Sequence, residues 1–273
     1  NDIDAIAESI VSDVMVRTTD PVGWKQMLKH VHAQHFIKSN IVEMEMLEKA
    51  CWVSTTEEEV LGRDPNIRIL NSHLVYKTKY KPSGQLDKFK SRLVLNGNMQ
   101  DVDDANYSPT VHPEIIRLFL AIAAAQDMEV STFDVTGAFI SHELNPDDPP
   151  IYVRLPVQYT NGVERIVRLV RSLYGLREAP RLFFTDLRDK LISMKFVQSE
   201  YDRCLFIKTL PSGERQFALI HVDDILLLSP SLHTVDKFKN DIETKYVITG
   251  EIQATHYCGL KILRDRLNRA LSI

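Results

Sequence analysis

Through the first sixty residues apolar side chains recur at three- and four-residue steps, at Ile6, Ile10 and Val14 and then at Ile41, Met44, Met46 and Leu47. That period predicts helices, interrupted at Pro21. From Ile67 to Leu95 the pattern shortens: the runs Ile67–Leu70 and Leu74–Tyr76, with the Pro82-Ser83-Gly84 turn signal, predict a hairpin. Pro113 suits the first turn of a helix, Glu114 favours its N-terminus, and Ile115 to Ala125 supply a broad apolar face. Val130 to Asp134 then reads as a strand. After the loop Asp147-Asp148-Pro149-Pro150, Ile151–Leu155 alternates as a strand does, and Val163–Val170 follows the Asn161-Gly162 signal. Ala179 to Met194 is helical, with Leu182, Phe183, Leu187 and Leu191 on one side. Phe217 to Ser229 is apolar except around His221, Asp223 and Asp224, and predicts two strands with the acidic pair at or near their turn. Asp236–Tyr246 predicts a last amphipathic helix and Ala254–Leu263 a last short strand. The sum is α+β, without repeats or an obvious linker.

A chain of 273 residues, 44% hydrophobic and 26% charged, can bury a core without disulfide or metal staples, and bulk disorder is excluded. The three cysteines, Cys51, Cys204 and Cys258, are scattered and lack C-x-x-C spacing, which points to a reducing compartment. No run reaches the roughly 18 to 20 apolar residues of a membrane span. The start, Asn1-Asp2-Ile3-Asp4, lacks the basic and apolar parts of a signal peptide, so an intracellular protein with no membrane partner is expected. Net charge is −4, yet Lys77, Lys79, Lys81, Lys88, Lys90 and Arg92 cluster against Asp87 alone, and Arg165, Arg168, Arg171, Arg177 and Arg181 form a second group. Such clusters make either a solvated face or a phosphate-binding surface.

The stretch Phe217 to Leu228 carries the chemistry. Its apolar flanks place two adjacent carboxylates against a core, where Asp is rarely buried without a partner. Asp-Asp can also be a plain turn, although tight hairpins prefer a Gly that is absent here. Two unit charges ~4 Å apart repel by about 4 kcal/mol at an effective dielectric of ~20. A third carboxylate beside them would need a divalent cation or raised carboxylate pKa values. Asp134, at the end of its strand and before the turn Val135-Thr136-Gly137-Ala138-Phe139, is the candidate. Magnesium takes oxygen ligands together with substrate phosphates, and two such ions serve phosphoryl transfer.

In order and spacing, Phe133–Phe139, Ser172-Leu173-Tyr174-Gly175-Leu176-Arg177-Glu178-Ala179-Pro180-Arg181, Asp202–Phe206 and His221-Val222-Asp223-Asp224 resemble the copia-type long-terminal-repeat retrotransposon reverse transcriptases. Phe89-Lys90-Ser91-Arg92-Leu93-Val94 resembles that family's basic finger motif. The resemblance runs from about Trp24 to the C-terminus. It implies a right-hand polymerase fold, with an antiparallel palm sheet packed on helices. Residues 1–60 would be an N-terminal helical extension or start of the fingers, 61–112 and 142–178 fingers, and 113–141 and 179–262 palm. Residues 263–273 would begin a truncated thumb connection, with thumb and RNase H missing.

The resemblance implies an RNA-directed DNA polymerase that adds dNTPs to a primer 3′-OH. Asp134, Asp223 and Asp224, with the Val135 backbone carbonyl, would hold two Mg²⁺ ions, for which Mn²⁺ can substitute. Lys90 and Arg92 would meet the triphosphate, and amides of Thr136, Gly137 and Ala138 its phosphates. Phe139 would be the steric gate against a ribose 2′-OH. Tyr174 and Gly175 would line the nucleotide pocket, and Tyr257, Cys258 and Gly259 would form a primer-grip hairpin whose backbone supports the primer terminus. The implied partners are an RNA or DNA template with primer, dNTPs and other polyprotein segments (thumb, RNase H, integrase). The implied setting is a cytoplasmic virus-like particle, with room for a nuclear stage. His221 stands where the family usually has Tyr, Glu178 where Gln is common, and Asn96-Gly97-Asn98 in place of a more basic segment. With the acidic net charge, these departures keep an alternative open: a domesticated or subunit-like module that retains the fold, binds nucleic acid or protein, and extends no primer.

Overall fold

The computed structural model describes residues 19–81, 83–97, 100, 108–159 and 162–273. The predicted helical period at Ile6, Ile10 and Val14 lies outside them, as do Pro82, Asn98 and Asn161. In chain order the elements begin with α1 (Trp24–Met27), α2 (Ala33–Ala50), β1 (Trp52–Thr55), α3 (Glu57–Arg63), β2 (Ile69–Tyr80) and β3 (Leu86–Leu95). There follow α4 (Pro113–Ala125), β4 (Glu129–Val135), a 3-10 turn at Ala138–Ile140, β5 (Tyr152–Arg154), β6 (Ile166–Leu169), α5 (Ala179–Ser193) and β7 (Val197–Gln198). The remainder is β8 (Leu205–Thr209), β9 (Arg215–His221), β10 (Asp224–Ser229), α6 (Leu232–Glu243), β11 (Ile248–Glu251), β12 (His256–Tyr257), β13 (Leu260–Lys261), β14 (Leu263–Asp265) and β15 (Ala270–Ser272). This is a mixed α/β architecture with largely antiparallel sheets. The chain divides into two compact units, Asn1–Val102 with Glu143–Arg177, and Asp103–His142 with Glu178–Ile273.

The first unit holds a sheet in the order β1-β6-β5-β2-β3, in which only β2 and β5 run parallel. The predicted hairpin is longer than its apolar runs suggested. β2 continues to Tyr80, and its buried face passes from Leu74 to Tyr76 and Thr78 opposite Leu93, Ser91 and Phe89. Two expectations for the first sixty residues change. Trp52–Thr55 is a strand, pairing β6. The buried stripe of α2 is Phe36, Asn40, Glu43 and Leu47, an i, i+4, i+7, i+11 series, whereas Ile41 and Met46 are 51% and 41% exposed. Two polar side chains therefore occupy a face that hydropathy alone assigns to others.

The second unit is a sheet in the order β11-β4-β10-β9-β8-β7, antiparallel throughout, with α4, α5 and α6 contributing to the same core. Ile225, Leu226, Leu227 and Leu228 of β10 are all fully buried, so both faces of this central strand are covered. Each such side chain contributes about 1.5–3 kcal/mol relative to exposure. Helix α4 starts at Pro113 as predicted and buries Ile116, Phe119, Leu120 and Ala123. Helix α6 begins four residues before the predicted Asp236, because Ser231 and Thr234 exchange side-chain and backbone hydrogen bonds in a capping box. The single strand expected over Ala254–Leu263 is a hairpin instead: Cys258 (φ 46°) and Gly259 (φ 79°) turn the chain so that Tyr257 pairs Leu260. A further hairpin, β14–β15, is tied to the α4–β4 connection by Arg264 and Arg266, which pair with Asp127 and Glu129.

Candidate active site

In the second unit the predicted turn is a two-residue loop, Val222-Asp223, between β9 and β10. Val222 has φ 59°, a region that a β-branched residue enters only under strain of order 1–3 kcal/mol. The core of β9 and β10 fixes the two strand ends, and the turn absorbs the strain. Strand β4 lies on the other side of β10, and its register places Asp134 directly opposite Asp224. Directly paired residues of antiparallel strands share a face, with Cβ atoms roughly 4.5–5.5 Å apart, and like charges there are destabilising. The Asp223 carbonyl accepts a hydrogen bond from the Val135 amide at 2.9 Å, which ties the turn to the end of β4. Asp134 is exposed, and Asp223 and Asp224 are half-buried. Thus three carboxylates from two distant segments occupy one open end of a sheet whose interior is apolar.

Among the described residues no three His, Cys, Asp or Glu side chains are drawn together closely enough to hold a metal ion as they stand. The donor set still suits a hard divalent cation: carboxylate oxygens alone, opposed in register, at an accessible strand end. The turn after β4 is built on Gly137, whose φ of 67° starts the 3-10 turn. The Thr136 amide donates to the Val247 carbonyl at 2.9 Å and so is not free for the phosphate contact expected of it. Ala138 is buried, and half-buried Phe139 packs edge-on against Phe183, with ring centroids 6.3 Å apart. His221 is half-buried and paired across the hairpin with Asp224, and its Nδ1 makes no hydrogen bond. In the β12–β13 hairpin, buried Tyr257 donates its hydroxyl proton to the Leu219 carbonyl at 3.2 Å. Its phenol is held well above the usual range by burial first, then by Cys258, with Asp224 adding to the effect. The Tyr257–Leu219 bond holds this hairpin against β9, two residues before His221.

The first unit brings together the other nominated residues. Lys90 and Arg92 lie on β3, alternating with fully buried Ser91 and Leu93. Burial and then the neighbouring Arg92 charge pull the Lys90 ammonium below its usual pKa. The Arg92 guanidinium carbon lies 5.3 Å from the centroid of the Tyr174 ring, and its buried Nε has no hydrogen-bond partner. The aromatic face holds the half-buried guanidinium in one orientation. Gly175 follows with φ 91°, and the Tyr174 carbonyl accepts the Leu95 amide at 2.8 Å. A Cβ on Gly175 would lie 2.2 Å from the Leu95 carbonyl oxygen, and one on Gly97 would lie 2.0 Å from the Gly175 oxygen. Glycine is required at both positions by backbone approach. In the same unit a cavity of about 630 Å³ is lined by residues including Trp24, His73, Tyr76 and Arg154, and contains none of the nominated residues.

Residues 59–272 match the family model described as reverse transcriptase (RNA-dependent DNA polymerase). The chain belongs to the reverse transcriptase family. It is similar to the Retrovirus-related Pol polyprotein from transposon TNT 1-94 of Nicotiana tabacum, 29% identical over 258 residues, covering 92% of this chain and 19% of that protein. It is also similar to the Pol polyprotein from transposon RE1 of Arabidopsis thaliana, 26% identical over 73% of this chain and 14% of the relative. The Transposon Ty1-BL Gag-Pol polyprotein of Saccharomyces cerevisiae is 23% identical over 83% and 12%. These are copia-type retrotransposon polyproteins, and the chain spans a fifth or less of their length. Within this reverse transcriptase domain the motif Asp202–Phe206 acquires a structural role. Buried Asp202 accepts hydrogen bonds from the Cys204 amide at 2.7 Å and the His112 amide at 3.4 Å, joining the start of β8 to the start of α4. Among the described residues no helix is long and apolar enough to cross a membrane.

Proposed function

We propose that the chain is the fingers and palm portion of an RNA-directed DNA polymerase, the first unit acting as fingers and the second as palm. The observation that carries the reading is the register of Asp134 against Asp224 with Asp223 at the adjoining turn. Like charges are tolerated at directly opposed positions where a cation is to be bound. Asp134, Asp223 and Asp224, with the Val135 carbonyl, would hold two Mg²⁺ ions, or Mn²⁺ in their place, whose charge offsets that of a triphosphate and of the oxygens attacking and leaving its α-phosphorus. The primer 3′-oxygen attacks the α-phosphate of the dNTP, and pyrophosphate leaves.

The remaining roles belong to this chain's own groups. Lys90 and the stacked Arg92 would bind the β- and γ-phosphates, and Tyr174 would hold the Arg92 plane in place. The turn Thr136-Gly137-Ala138 would approach the triphosphate closely because its side chains are small. Phe139 would crowd a 2′-hydroxyl, its ring braced by Phe183. Tyr257, Cys258 and Gly259 would support the primer end, the Tyr257–Leu219 bond fixing that hairpin on β9. Template, primer, dNTPs and the thumb, RNase H and integrase segments of a polyprotein are the proposed partners, within an intracellular particle.

Primer extension on a homopolymer RNA template with Mg²⁺ or Mn²⁺ tests this, with Asp223→Asn as the matched protein. Wild-type incorporation should exceed that of the variant by at least about 10²-fold, the scale of removing one preorganised charge from a site of this kind. Equal incorporation by both proteins rejects the site, and none by the wild type favours the module that retains the fold without catalysis.

A further inference from the structure

Strand β3, which carries Lys90 and Arg92, is an edge strand. Its outward backbone amides would otherwise be unpaired, and such edges fray or slip. Here each outward amide from Ser91 to Leu95 has a partner. Ser91 donates to Ser39 Oγ at 2.8 Å, Leu93 to Glu43 Oε1 at 3.3 Å, and Leu95 to the Tyr174 carbonyl at 2.8 Å. Ser39 and Glu43 are i and i+4 on α2, about 6 Å apart along the helix, and alternate strand residues are about 6.7 Å apart. The two repeats match, so one helical face supplies side-chain acceptors at the strand's own spacing. This accounts for Glu43 on the buried stripe of α2.

Side chains alternate along a strand. With Ser91, Leu93 and Leu95 held inward, Lys90 and Arg92 project to the opposite face, and a slip of one residue would exchange the two sets. The Glu43 carboxylate is also close enough to Lys90 and Arg92 to interact with both charges. We propose that Ser39 and Glu43 are positioning residues, a side-chain clasp on the free edge of β3 that fixes the register in which Lys90 and Arg92 are presented to a nucleotide triphosphate. The inference rests on the polymerase reading above and adds to it the helix that aligns the phosphate-binding strand.

The test uses Glu43→Ala and Glu43→Gln in the full 273-residue chain, measuring dNTP KM and kcat at saturating primer–template together with hydrogen exchange at the Leu93 amide. Ala removes the acceptor, and the expected result is faster Leu93 exchange with a dNTP KM raised about tenfold and kcat changed by less than about twofold. Gln keeps an acceptor oxygen and should restore both. If Glu43→Ala fails to fold, Ser39→Ala, which removes the neighbouring acceptor, should raise KM in the same direction. An unmoved KM with faster exchange overturns the positioning role, and unmoved exchange overturns the clasp. A wild type that shows no dNTP-dependent incorporation overturns the polymerase reading and this inference with it, an outcome visible before any Glu43 variant is compared.

Discussion

Replacing Gly175 with alanine should unfasten the first unit at the point where Tyr174 meets β3. The added Cβ would lie 2.2 Å from the Leu95 carbonyl oxygen and 2.7 Å from the Leu95 nitrogen, both backbone atoms that cannot rotate aside. A non-glycine residue at φ 91° adds strain of about 1–3 kcal/mol. Relieving the overlap costs about 1–3 kcal/mol more, and loss of the Leu95–Tyr174 hydrogen bond about 1 kcal/mol. Reduced freedom of the unfolded chain offsets roughly 0.4–1 kcal/mol. The balance is about 4 kcal/mol, a large part of the roughly 5–15 kcal/mol that stabilises a typical native protein. Both tryptophans, Trp24 and Trp52, belong to this unit, so tryptophan emission during urea unfolding follows it selectively. With a slope of about 2 kcal/mol/M the midpoint should fall by roughly 2 M. Gly162→Ala is the matched control: its φ is 82°, but nothing lies within 4 Å of the added carbon, so only the strain contributes. Equal shifts in the two variants would refute the steric argument.

Asp202→Ala removes the acceptor of both the Cys204 and His112 amides, and should destabilise the second unit by about 1–3 kcal/mol, with Asp202→Asn less affected because one oxygen remains. Thermal unfolding followed by far-UV circular dichroism reads the difference, and equal melting of wild type and Ala would remove the clasp between β8 and α4. Phe139→Val should raise the use of ribonucleotides relative to deoxynucleotides in primer extension while lowering stability modestly, since part of the ring packs on Phe183. An unchanged ratio with lowered stability would make Phe139 a packing residue alone.

The parts of the fold that could be read from the chain are those where local chemistry and burial agree. Pro113 opens α4, the apolar run from Phe217 to Leu228 forms β9 and β10 with Asp223 at the turn, and Leu187 and Leu191 lie inward on α5. Departures arose where tertiary partners decide. Trp52–Thr55 is four residues between helices and becomes a strand only because β6 pairs with it. Glu43 is buried because α2 meets a strand edge in need of acceptors, a demand with no trace in hydropathy. The i, i+4, i+7, i+11 spacing from Phe36 to Leu47 was the available signal. At the site, the acidic residues were nominated by type and motif, but the stacking of Arg92 on Tyr174 joins positions 82 apart in sequence and required the coordinates. For Tyr257–Gly259 periodicity predicts one strand while the family resemblance implies a hairpin, and two successive positive φ values make the turn of that hairpin.

Each compact unit is assembled from two stretches of chain, interleaved with those of the other. During translation the first unit can close once residue 177 has left the ribosome, whereas β4 must wait for β10 and β11. Asp224 follows Asp134 by 90 residues, a delay of roughly 5–20 s at ordinary elongation rates. During that interval β4 has unsatisfied edges on both sides, and a nascent-chain chaperone has an opportunity to act there.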